Sequence, residues 1–454
     1  MKVKENIFKM IRIIGDIIFV NLSFFIVFKL RFGEIHPSNY NAFIKVIPYI
    51  SIFSIILFYM YNLYTNQLKR RMDEIIYSFI PASFIIVLFA GAVTYLTQAY
   101  AFPRSVYLFL FPSLLITMIA WRYLTVVFEQ KFAHIKDIII IGKGKSTAKL
   151  IENIAHSVHR SYNIKYVLID HKRHLKGVDY VECEKISILN NIRKELLNLE
   201  ADILFIDSNL SEAEKKDAFH VALEKEWEIS LVPEFYEIML SGANLEQIGE
   251  IPVFEITPPS KSMSFVFKRL MDIVLSLLGI IISLPLTIPA AIAIKLESRG
   301  PLFFTQERIS HKDKKFKVYK FRTMVNNAEK HTGPVLAKEN DCRVTTVGKL
   351  LRKTRIDEIP QLINVLKGEM SIIGPRPERP HFVEQFQDKL PHYKFRHHIH
   401  AGITGLAQVY GYYSTDAEDK LRMDLLYANK RTFVLDIKIL LETLKVIFMG
   451  NKSK

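Results

Sequence analysis

Four long apolar stretches dominate the first 130 residues of the chain. They cover residues 11–30, 43–64, 75–96 and 106–128, and each has close to the roughly 20 residues that a helix needs to cross a bilayer. Four such runs in succession favour membrane-spanning helices over the buried helices of a soluble protein. We therefore predict a four-helix transmembrane region over residues 1–130.

Basic residues flank these runs unevenly. Four of them precede or open the first run and three lie between the second and the third, whereas the loop before the fourth carries only Arg104. Because cytoplasmic loops carry the excess of lysine and arginine, both ends of this region are predicted to lie in the cytoplasm. No small-residue cleavage site follows the first run, so we do not expect a signal peptide. Asp16, the only acid within that run, is expected to face another helix.

From about residue 131 the pattern changes to short apolar runs that alternate with helical segments. Strands are predicted at residues 137–142, 164–170, 202–206 and 229–232, with helices at 147–156, 189–199 and 212–226. Alternation of this kind is typical of a parallel sheet with helices on its faces. The sequence therefore predicts a Rossmann-like α/β domain over residues 131–255.

The turn after the first of these strands carries part of a nucleotide-binding signature. Gly142 and Gly144 occupy two positions of the glycine-rich fingerprint, but Thr147 stands where its third glycine is expected. Asp170, at the end of the next strand, could take the place of the ribose-binding acid. The incomplete fingerprint favours a spacer or regulatory domain over a nucleotide-binding one, and the sequence leaves both open.

A fifth apolar run follows two basic residues and extends over residues 273–294. Two prolines lie inside it, and an interior proline removes a hydrogen bond and bends a helix. A complete crossing would also carry the basic residues that follow to the far side of the membrane. We therefore predict a re-entrant helix over residues 268–297, broken near Ser283 and Pro285, that returns to the face it entered from. A proline-kinked spanning helix is the alternative.

The net charge of +15 is distributed unevenly. Residues 261–454 contain 33 lysines and arginines and 19 acids, a balance of +14 that leaves +1 for the first 260 residues. Such a surplus indicates a partner rich in phosphate, anionic lipid or nucleic acid. Nucleic acid is not expected, since there is no zinc finger, RNA-binding aromatic motif or basic repeat. Cys183 and Cys342 match no disulfide or zinc spacing, in keeping with a reducing environment.

Two adjacent carboxylates, Asp357 and Glu358, precede an apolar helical pattern. Apolar residues at 359, 362, 363 and 366 recur with helical spacing, and Pro360 is tolerated only in a first turn, so the helix is predicted to start near Asp357. The helix dipole would keep acids at this position ionised. An ionised aspartate can attack a phosphoryl group, and two neighbouring acids can hold Mg²⁺. Simple helix capping is the alternative.

A stiff turn with a single arginine follows this helix. In Gly374-Pro375-Arg376-Pro377 each proline restricts its own φ angle and the residue before it, so Arg376 has little backbone freedom. A guanidinium fixed in this way suits the recognition of phosphate, with an ordinary surface turn as the alternative.

Further residues join the set of candidate phosphate or substrate ligands. A strand predicted over residues 316–324 would place Lys320 and Arg322 on one face, because they are two positions apart. A solvated basic hairpin is the alternative for this segment. The set is completed by Arg308, Arg355 and Gln408.

Several of these segments together resemble a known family. The stretches KRLMDIVLSLLG, FFTQERIS, YKFRTM, TRIDEIPQLINVLKGEMSIIGPRP and GITGLAQVYG follow in this order. They resemble the bacterial sugar transferases called monotopic phosphoglycosyl transferases, over residues 264–454. Four spans and a Rossmann-like domain in front resemble the large subfamily, which initiates capsule, O-antigen and exopolysaccharide synthesis.

This resemblance implies a mixed membrane protein of the bacterial inner membrane, with an α-rich monotopic catalytic domain, residues 256–454, on its cytoplasmic face. The implied reaction transfers a sugar-1-phosphate from a UDP-sugar to undecaprenyl phosphate and releases UMP. Asp357 would attack the β-phosphorus with Mg²⁺ assistance and form a covalent adduct, Glu358 would position metal or substrate, and Arg376 would bind phosphate. The family marks the helix break with a Ser-Pro pair, whereas here Leu284 separates Ser283 from Pro285.

Two other functions compete with this interpretation. A membrane nucleotide sensor or scaffold would have no need of the acid pair and the proline-flanked arginine. An inverting glycosyltransferase would be expected to carry a DxD metal motif on a nucleotide-binding fold, and no such motif is placed on one. Homodimerisation is in keeping with a membrane enzyme of this kind, and nothing in the sequence indicates which sugar or which polysaccharide is involved.

Overall fold

The computed structural model describes residues 2–33, 37–65, 70–99, 104–132, 135–158, 161–175, 185–189, 191–256, 265–325, 341, 343–411 and 415–449. The chain forms two compact units, Met1–Pro233 and Glu234–Lys454. The predicted three-domain division at residues 130 and 255 stays a prediction.

The described part of the first unit begins with four long helices. They are α1 (Lys2–Phe32), α2 (Pro37–Met60), α3 (Met72–Leu96) and α4 (Arg104–Phe132). Each is long and apolar enough to cross a membrane, which confirms the four predicted apolar helices. The second predicted run extended to residue 64, but α2 ends at Met60 because the chain turns there, with Asn62 in the left-handed conformation at φ +54°.

Buried charges join α1 to α4. Asp16 and Arg122 are both buried and form an ion pair of 2.5 Å, as expected for an acid that faces another helix. Arg12 lies 3.4 Å from Glu129 and donates a hydrogen bond to the carbonyl oxygen of Thr65. Leaving one member of a buried pair uncompensated costs about 3–5 kcal/mol, so these pairs strongly favour one register of α1 on α4.

A parallel sheet follows in the same unit. Its described strands are β1 (Lys136–Gly142), β2 (Tyr162–Ile169), β3 (Lys185–Ile188), β4 (Ile203–Ile206) and β5 (Glu228–Leu231), in the order β3-β2-β1-β4-β5. The helices are α5 (Gly144–Val158), α6 (Ile192–Leu197) and α7 (Glu212–Glu224). This order is that of the dinucleotide-binding half fold, so the Rossmann-like prediction is confirmed.

The position where such a fold holds a phosphate is filled by the chain's own carboxylates. The Gly144 amide donates to Asp170 Oδ1 at 3.0 Å, and the hydroxyls of Ser146 and Thr147 donate to Asp207 Oδ2 at 2.5 and 2.7 Å. Asp170 therefore satisfies the start of α5 instead of being left to a ribose. Two carboxylates at this helix N-terminus disfavour a bound phosphate, so the arrangement favours a spacer or regulatory domain.

The second unit contains one very long helix, α9 (Phe265–Glu297), preceded by α8 (Phe235–Leu240) and the hairpin β6 (Asn244–Ile248) and β7 (Ile251–Glu255). At 1.5 Å per residue, α9 is roughly 50 Å long. The helix continues through both Pro285 and Pro289, so it is not interrupted near Ser283 and Pro285, and its predicted re-entry stays a prediction. A bend can absorb the lost donor of a proline while the backbone stays helical, and Ser283 Oγ donates within the helix to the Ile280 carbonyl.

The rest of the second unit is rich in helices. Its described strands are β8 (Phe303–Ile309) and β9 (Lys315–Phe321), which form a hairpin, and the parallel pair β10 (Ser371–Ile373) and β11 (Gly402–Thr404). The remaining helices are α10 (Thr346–Thr354), α11 (Gln361–Lys367), α12 (Pro380–Lys389), α13 (Leu406–Tyr410), α14 (Ala417–Asn429) and α15 (Phe433–Met449).

Helix α11 is fixed from two sides. Asn364 is fully buried, accepts a hydrogen bond from the Tyr319 amide and donates one to the Lys317 carbonyl, which holds α11 on β9. Arg269 of α9 donates to the carbonyls of Val365 and Leu366 at 2.5 and 2.7 Å, and so caps the end of α11. The segment before α11 is therefore held in a defined position relative to β9 and α9.

Candidate active site

The two predicted catalytic acids lie on a short 3₁₀ turn, Ile356–Glu358, between α10 and α11. The predicted helix start near Asp357 is wrong, because α11 begins at Gln361 and Pro360 only precedes it. Arg355 reverses the chain with φ +57°. A non-glycine residue in this region costs about 1–2 kcal/mol, and such strain clusters at functional sites.

A hydrophobic cluster anchors this acidic turn. Ile356 packs against a cluster that is formed by Phe321 at the end of β9, Leu351 of α10 and Ala290 and Ile294 of α9. The side chain next to Asp357 in sequence is thus held by the membrane-type helix and by the hairpin strand that carries Lys320.

Glu358 brings together two of the predicted phosphate ligands. Its Oε1 accepts from Lys320 Nζ at 2.6 Å and from Arg376 Nη2 at 3.0 Å. Burial raises the pKa of Glu358, but the charges of Arg376 and Lys320 outweigh burial and hold that pKa well below its usual range. Glu358 is therefore an anion at neutral pH, and it positions both cations.

Asp357 has the opposite character. Its side chain is 8% exposed, and burial together with the charge of Glu358 raises its pKa to about 6, against the opposing charges of Lys320, Arg352 and Arg376. The helix dipole does not set this pKa, because α11 starts only at Gln361 and burial dominates. At neutral pH Asp357 remains mostly ionised, and its higher basicity makes it the better nucleophile of the two acids.

Arg352 is a site residue that the sequence analysis missed. It lies in the last turn of α10, its Nε donates to Thr323 Oγ1 at 2.9 Å, and its charge lowers the pKa of Asp357. Arg355 forms the chain reversal, and its side chain has no hydrogen bond or ion pair with the described residues, so its predicted role as a phosphate ligand stays a prediction. The reversal folds the acidic turn back towards α10, and for this reason the charge of Arg352, in the last turn of α10, acts on Asp357.

Arg322 is not placed beside Lys320 as predicted. Strand β9 ends at Phe321, so the strand alternation stops before Arg322. Arg322 is 6% exposed, and its Nη2 donates to the carbonyl and hydroxyl oxygens of Ser298 at 2.7 and 2.9 Å. It therefore ties the end of the hairpin to the residue after α9.

Arg308 supports the site indirectly. Its Nη1 donates to the Pro377 carbonyl at 3.1 Å and lies 3.5 Å from the Glu378 carboxylate, while its Nη2 donates to Gln306. Burial lowers the pKa of Arg308 to about 10, a change that leaves it charged at neutral pH. The structure thus assigns Arg308 to the support of the turn that carries Arg376.

The proline-flanked turn is locked by a backbone crossing. The Gly374 amide donates to the Thr404 carbonyl, and the Gly402 amide donates to the Pro375 carbonyl, both at 2.8 Å. Arg396, which is paired with Asp424 inside the core, donates to the Arg376 carbonyl at 2.9 Å. The side chain of Arg376 is 49% exposed and projects from a fixed backbone.

Gln408 lies at the same crossing. Its Nε2 and Oε1 are buried and have no hydrogen-bond partner among the described residues. A Cβ added to Gly405 would come within 2.8 Å of its Oε1, so Gln408 packs closely on that glycine. The structure therefore places Gln408 beside the turn of Arg376 and gives it no contact with the acid pair.

The segment that contains these residues is similar to known proteins. A family model described as bacterial sugar transferase matches residues 263–450. The chain is 45% identical over 195 residues to a UDP-N-acetylgalactosamine-undecaprenyl-phosphate N-acetylgalactosaminephosphotransferase of Aeromonas hydrophila, which covers 42% of this chain and 46% of that protein. It is 39% identical over 232 residues to a UDP-glucose:undecaprenyl-phosphate glucose-1-phosphate transferase of Klebsiella pneumoniae, covering 49% of each.

Those two matches span about half the length of each relative. A smaller relative, the exopolysaccharide production protein PSS of Rhizobium leguminosarum bv. phaseoli, is 38% identical over 192 residues, which make up 40% of this chain and 94% of that protein. The chain belongs to the bacterial sugar transferase family.

Proposed function

We propose that this protein transfers a sugar-1-phosphate from a UDP-sugar to undecaprenyl phosphate and releases UMP, as the first step in making an exopolysaccharide, capsule or O-antigen. The observation that carries the proposal is the contrast between the acids: Asp357 is buried with a pKa of about 6, and Glu358 is held ionised by Lys320 and Arg376. The activities for which the two longer relatives are named suggest the substrate classes.

The reaction proceeds in two displacements at phosphorus. The Asp357 carboxylate attacks the β-phosphorus of the UDP-sugar, the bond from that phosphorus to the bridging oxygen breaks, and UMP leaves with the bonding electrons. This forms an acyl phosphate between Asp357 and the sugar phosphate. An oxygen of undecaprenyl phosphate then attacks the same phosphorus and releases the Asp357 carboxylate, so the lipid carries the sugar diphosphate.

Lys320 and Arg376 are the cations best placed to hold the diphosphate. Both contact the same oxygen of Glu358, so their positions are set before any substrate binds. Arg376 uses one of its five donors on Glu358 and is half exposed, which leaves donors for phosphate oxygens. Preorganised charge of this kind stabilises the negative charge that develops during transfer.

We infer that Asp357 and Glu358 fit Mg²⁺. The carboxylate of Asp357 has no hydrogen bond with the described residues. Both ion pairs of Glu358 end on Oε1, which leaves its second carboxylate oxygen for a cation. Among the described residues there is no cluster of three or more metal-binding side chains, and Mg²⁺ commonly binds one or two carboxylates and takes its other ligands from water and phosphate. When bound, Mg²⁺ would neutralise charge on the diphosphate.

The substrate assay tests this function directly. Membranes with the full chain, undecaprenyl phosphate and Mg²⁺ should release UMP from one member of a panel of UDP-sugars, and chelation should stop the release until Mg²⁺ is restored. No release from any UDP-sugar, with the protein shown to be folded, would contradict the proposed reaction.

The competing sensor function loses support because Gly144, Ser146 and Thr147 bind the chain's own acids.

On the acid side of the pH profile, the rate of covalent adduct formation should fall as Asp357 becomes protonated. The pKa of Asp357 is raised to about 6, so the nucleophile becomes protonated as the pH falls through that value. Glu358, whose pKa is held well below its usual range, does not titrate there. Formation of the covalent adduct without acceptor should fall about tenfold per pH unit below the pKa of Asp357, and bound Mg²⁺ would lower that pKa. The fall should therefore move towards pH 6 as the Mg²⁺ concentration is reduced, and a pH dependence that did not respond to Mg²⁺ would contradict the assignment.

We propose that the four N-terminal helices span the inner membrane and that α9 is re-entrant through a bend at its two interior prolines without loss of helical structure, which keeps the second unit on the cytoplasmic face. The surplus of +14 charges in residues 261–454 would make its transfer across the membrane costly, and α9 exposes an apolar surface along most of its length. A cysteine added after Lys454 should react with an impermeant reagent only in inverted vesicles. Labelling in intact spheroplasts would refute the topology. Homodimerisation stays a prediction.

A further inference from the structure

The C-terminal end of α9 contacts several of the elements that surround the acid pair. Ser298, the residue after α9, accepts two hydrogen bonds from Arg322 at the end of the β8–β9 hairpin. Ala290 and Ile294 of α9 belong to the cluster against which Ile356 of the acidic turn packs. The last turns of this apolar helix therefore hold both the end of the hairpin and the turn that carries the two acids.

Glu297, the last residue of α9, connects this helix to α10. Its Oε1 accepts a hydrogen bond from the Thr346 amide at 2.7 Å, and the Val347 amide lies 3.2 Å from each of its carboxylate oxygens. The next amide, that of Gly348, donates to the Thr345 hydroxyl at 3.0 Å. The amides of a first helical turn have no partner within the helix, and a carboxylate is favoured there by the helix dipole. Glu297 thus satisfies the first two amides of α10 from a different helix.

The other contacts of α10 fix its orientation against Thr323, which follows β9. A Cβ added to Gly348 would lie 2.1 Å from the Thr323 carbonyl oxygen, so the two backbones are in direct contact. In the last turn of α10, Arg352 Nε donates to Thr323 Oγ1 at 2.9 Å. Arg352 has no other hydrogen bond or ion pair with the described residues. The position of its charge therefore depends on where α10 lies.

The placement of α10 matters because the charge of Arg352 acts on the proposed nucleophile. Burial raises the pKa of Asp357, and the charge of Arg352 is among those that oppose burial. Lys320 and Arg376, by contrast, are held in place by Glu358 and do not depend on α10. A displaced α10 should therefore slow the attack of Asp357 more than it weakens the binding of the diphosphate, since catalysis is sensitive to shifts of about 1 Å.

We propose that Glu297 is a positioning residue for the transfer reaction: it fixes α10 on the end of α9 and so places Arg352 beside Asp357. The inference rests on the proposed function, because it assigns a role in the same reaction. It also makes the end of the apolar helix part of the support of the active site. Simple capping of α10 is the alternative, and that role predicts a loss of stability alone.

The rate constant of covalent adduct formation distinguishes these two roles. The detergent-purified full chain is mixed with UDP-sugar and Mg²⁺ in the absence of acceptor, and intact-protein mass spectrometry follows the gain of sugar phosphate. Glu297→Ala should lower the rate constant per folded molecule about tenfold, while the UDP-sugar concentration that gives half the maximal rate changes less than about twofold. Glu384→Ala, which removes an exposed carboxylate from α12 of the same unit, should leave both values unchanged.

A double-variant cycle tests whether Glu297 acts through Arg352. Arg352→Gln alone should lower the rate constant at least as much as Glu297→Ala does. Adding Glu297→Ala to Arg352→Gln should then cause no further loss, because the two residues belong to one chain of contacts. Glu297→Gln keeps an acceptor oxygen for the Thr346 amide, so it should lose less activity than Glu297→Ala, and it replaces the alanine variant if that variant does not fold.

The outcomes separate this inference from the proposed function. A wild-type rate constant in Glu297→Ala, whatever its unfolding temperature, would reduce Glu297 to a helix cap. Losses that multiply in the double variant would exclude Arg352 as the group through which Glu297 acts. If the wild type forms no adduct with any UDP-sugar, the proposed function itself fails, and the positioning role fails with it.

Discussion

Asp357→Asn is expected to lower UMP release by about 10⁴-fold or more, the scale seen when an enzyme loses its nucleophile. The amide has the shape of the carboxylate but cannot form the acyl phosphate. The variant should fold, because the raised pKa of Asp357 means that its ionised form is disfavoured in the folded protein above pH 6. Removing that charge should leave the unfolding temperature at neutral pH unchanged or higher.

Intact-protein mass spectrometry separates this chemical loss from a binding loss. With UDP-sugar and no acceptor, the wild type should gain the mass of one sugar phosphate, and Asp357→Asn should gain nothing. Asp388→Asn is the matched control, since Asp388 is an exposed acid on α12 of the same unit. Undiminished UMP release by Asp357→Asn would remove the nucleophile assignment, even if other residues of the site proved essential.

The sequence was most informative where burial alone determines the structure. The four N-terminal helices follow from uninterrupted apolar runs, and the central strand β1 follows from Ile138–Ile141, which are fully buried. Strand β3 was missed because Lys185–Ile188 is short, alternates with polar residues and lies at the edge of the sheet. An edge strand is specified by its neighbour's hydrogen bonds, which a single segment does not reveal.

The acid pair, Lys320 and Arg376 were all identified from the sequence, but their connection through Glu358 was not. That connection depends on the left-handed backbone conformation of Arg355. The sequence does not indicate this conformation, because the position is not a glycine. The same reversal brings the charge of Arg352 close enough to Asp357 to lower its pKa, whereas Arg355 itself forms the reversal. Arg322 was misplaced because strand alternation was extended one residue beyond Phe321, the last residue of β9.

The helix α9 shows the limit of reading prolines as breaks. Pro285 and Pro289 lie in an α-helix that continues to Glu297, since a proline costs a helix one donor and a steric clash and does not by itself end it. Composition therefore predicted the apolar helix correctly, and the prolines in it do not interrupt the helical hydrogen bonding. Whether the chain leaves the membrane on the side it entered depends on its charges, which is why the topology assay reads the position of the C-terminal residues.

Gly402→Ala should disable the site without touching a charged group. A Cβ on Gly402 would lie 2.0 Å from the Gly374 amide nitrogen and 2.5 Å from the Thr404 carbonyl oxygen. Both are backbone atoms that no side-chain rotation can move, so β11 and the turn of Arg376 must separate. Overpacking of this kind costs about 1–3 kcal/mol, and a displacement of about 1 Å at a catalytic group can lower turnover 10²-fold. UMP release and thermal unfolding together measure both effects.

The pH dependence of adduct formation distinguishes a displaced turn from general destabilisation. Arg376 lowers the pKa of Asp357, so moving Arg376 away should shift the acid limb of adduct formation to a pH above 6. Gly91→Ala is the control for the substitution itself, because a Cβ there meets no atom within 4 Å, and it should leave both the pH profile and turnover unchanged. If Gly402→Ala kept wild-type turnover and the wild-type acid limb, the rigid placement of Arg376 by the glycine crossing would be wrong, and phosphate recognition would have to rest on Lys320 and Arg352.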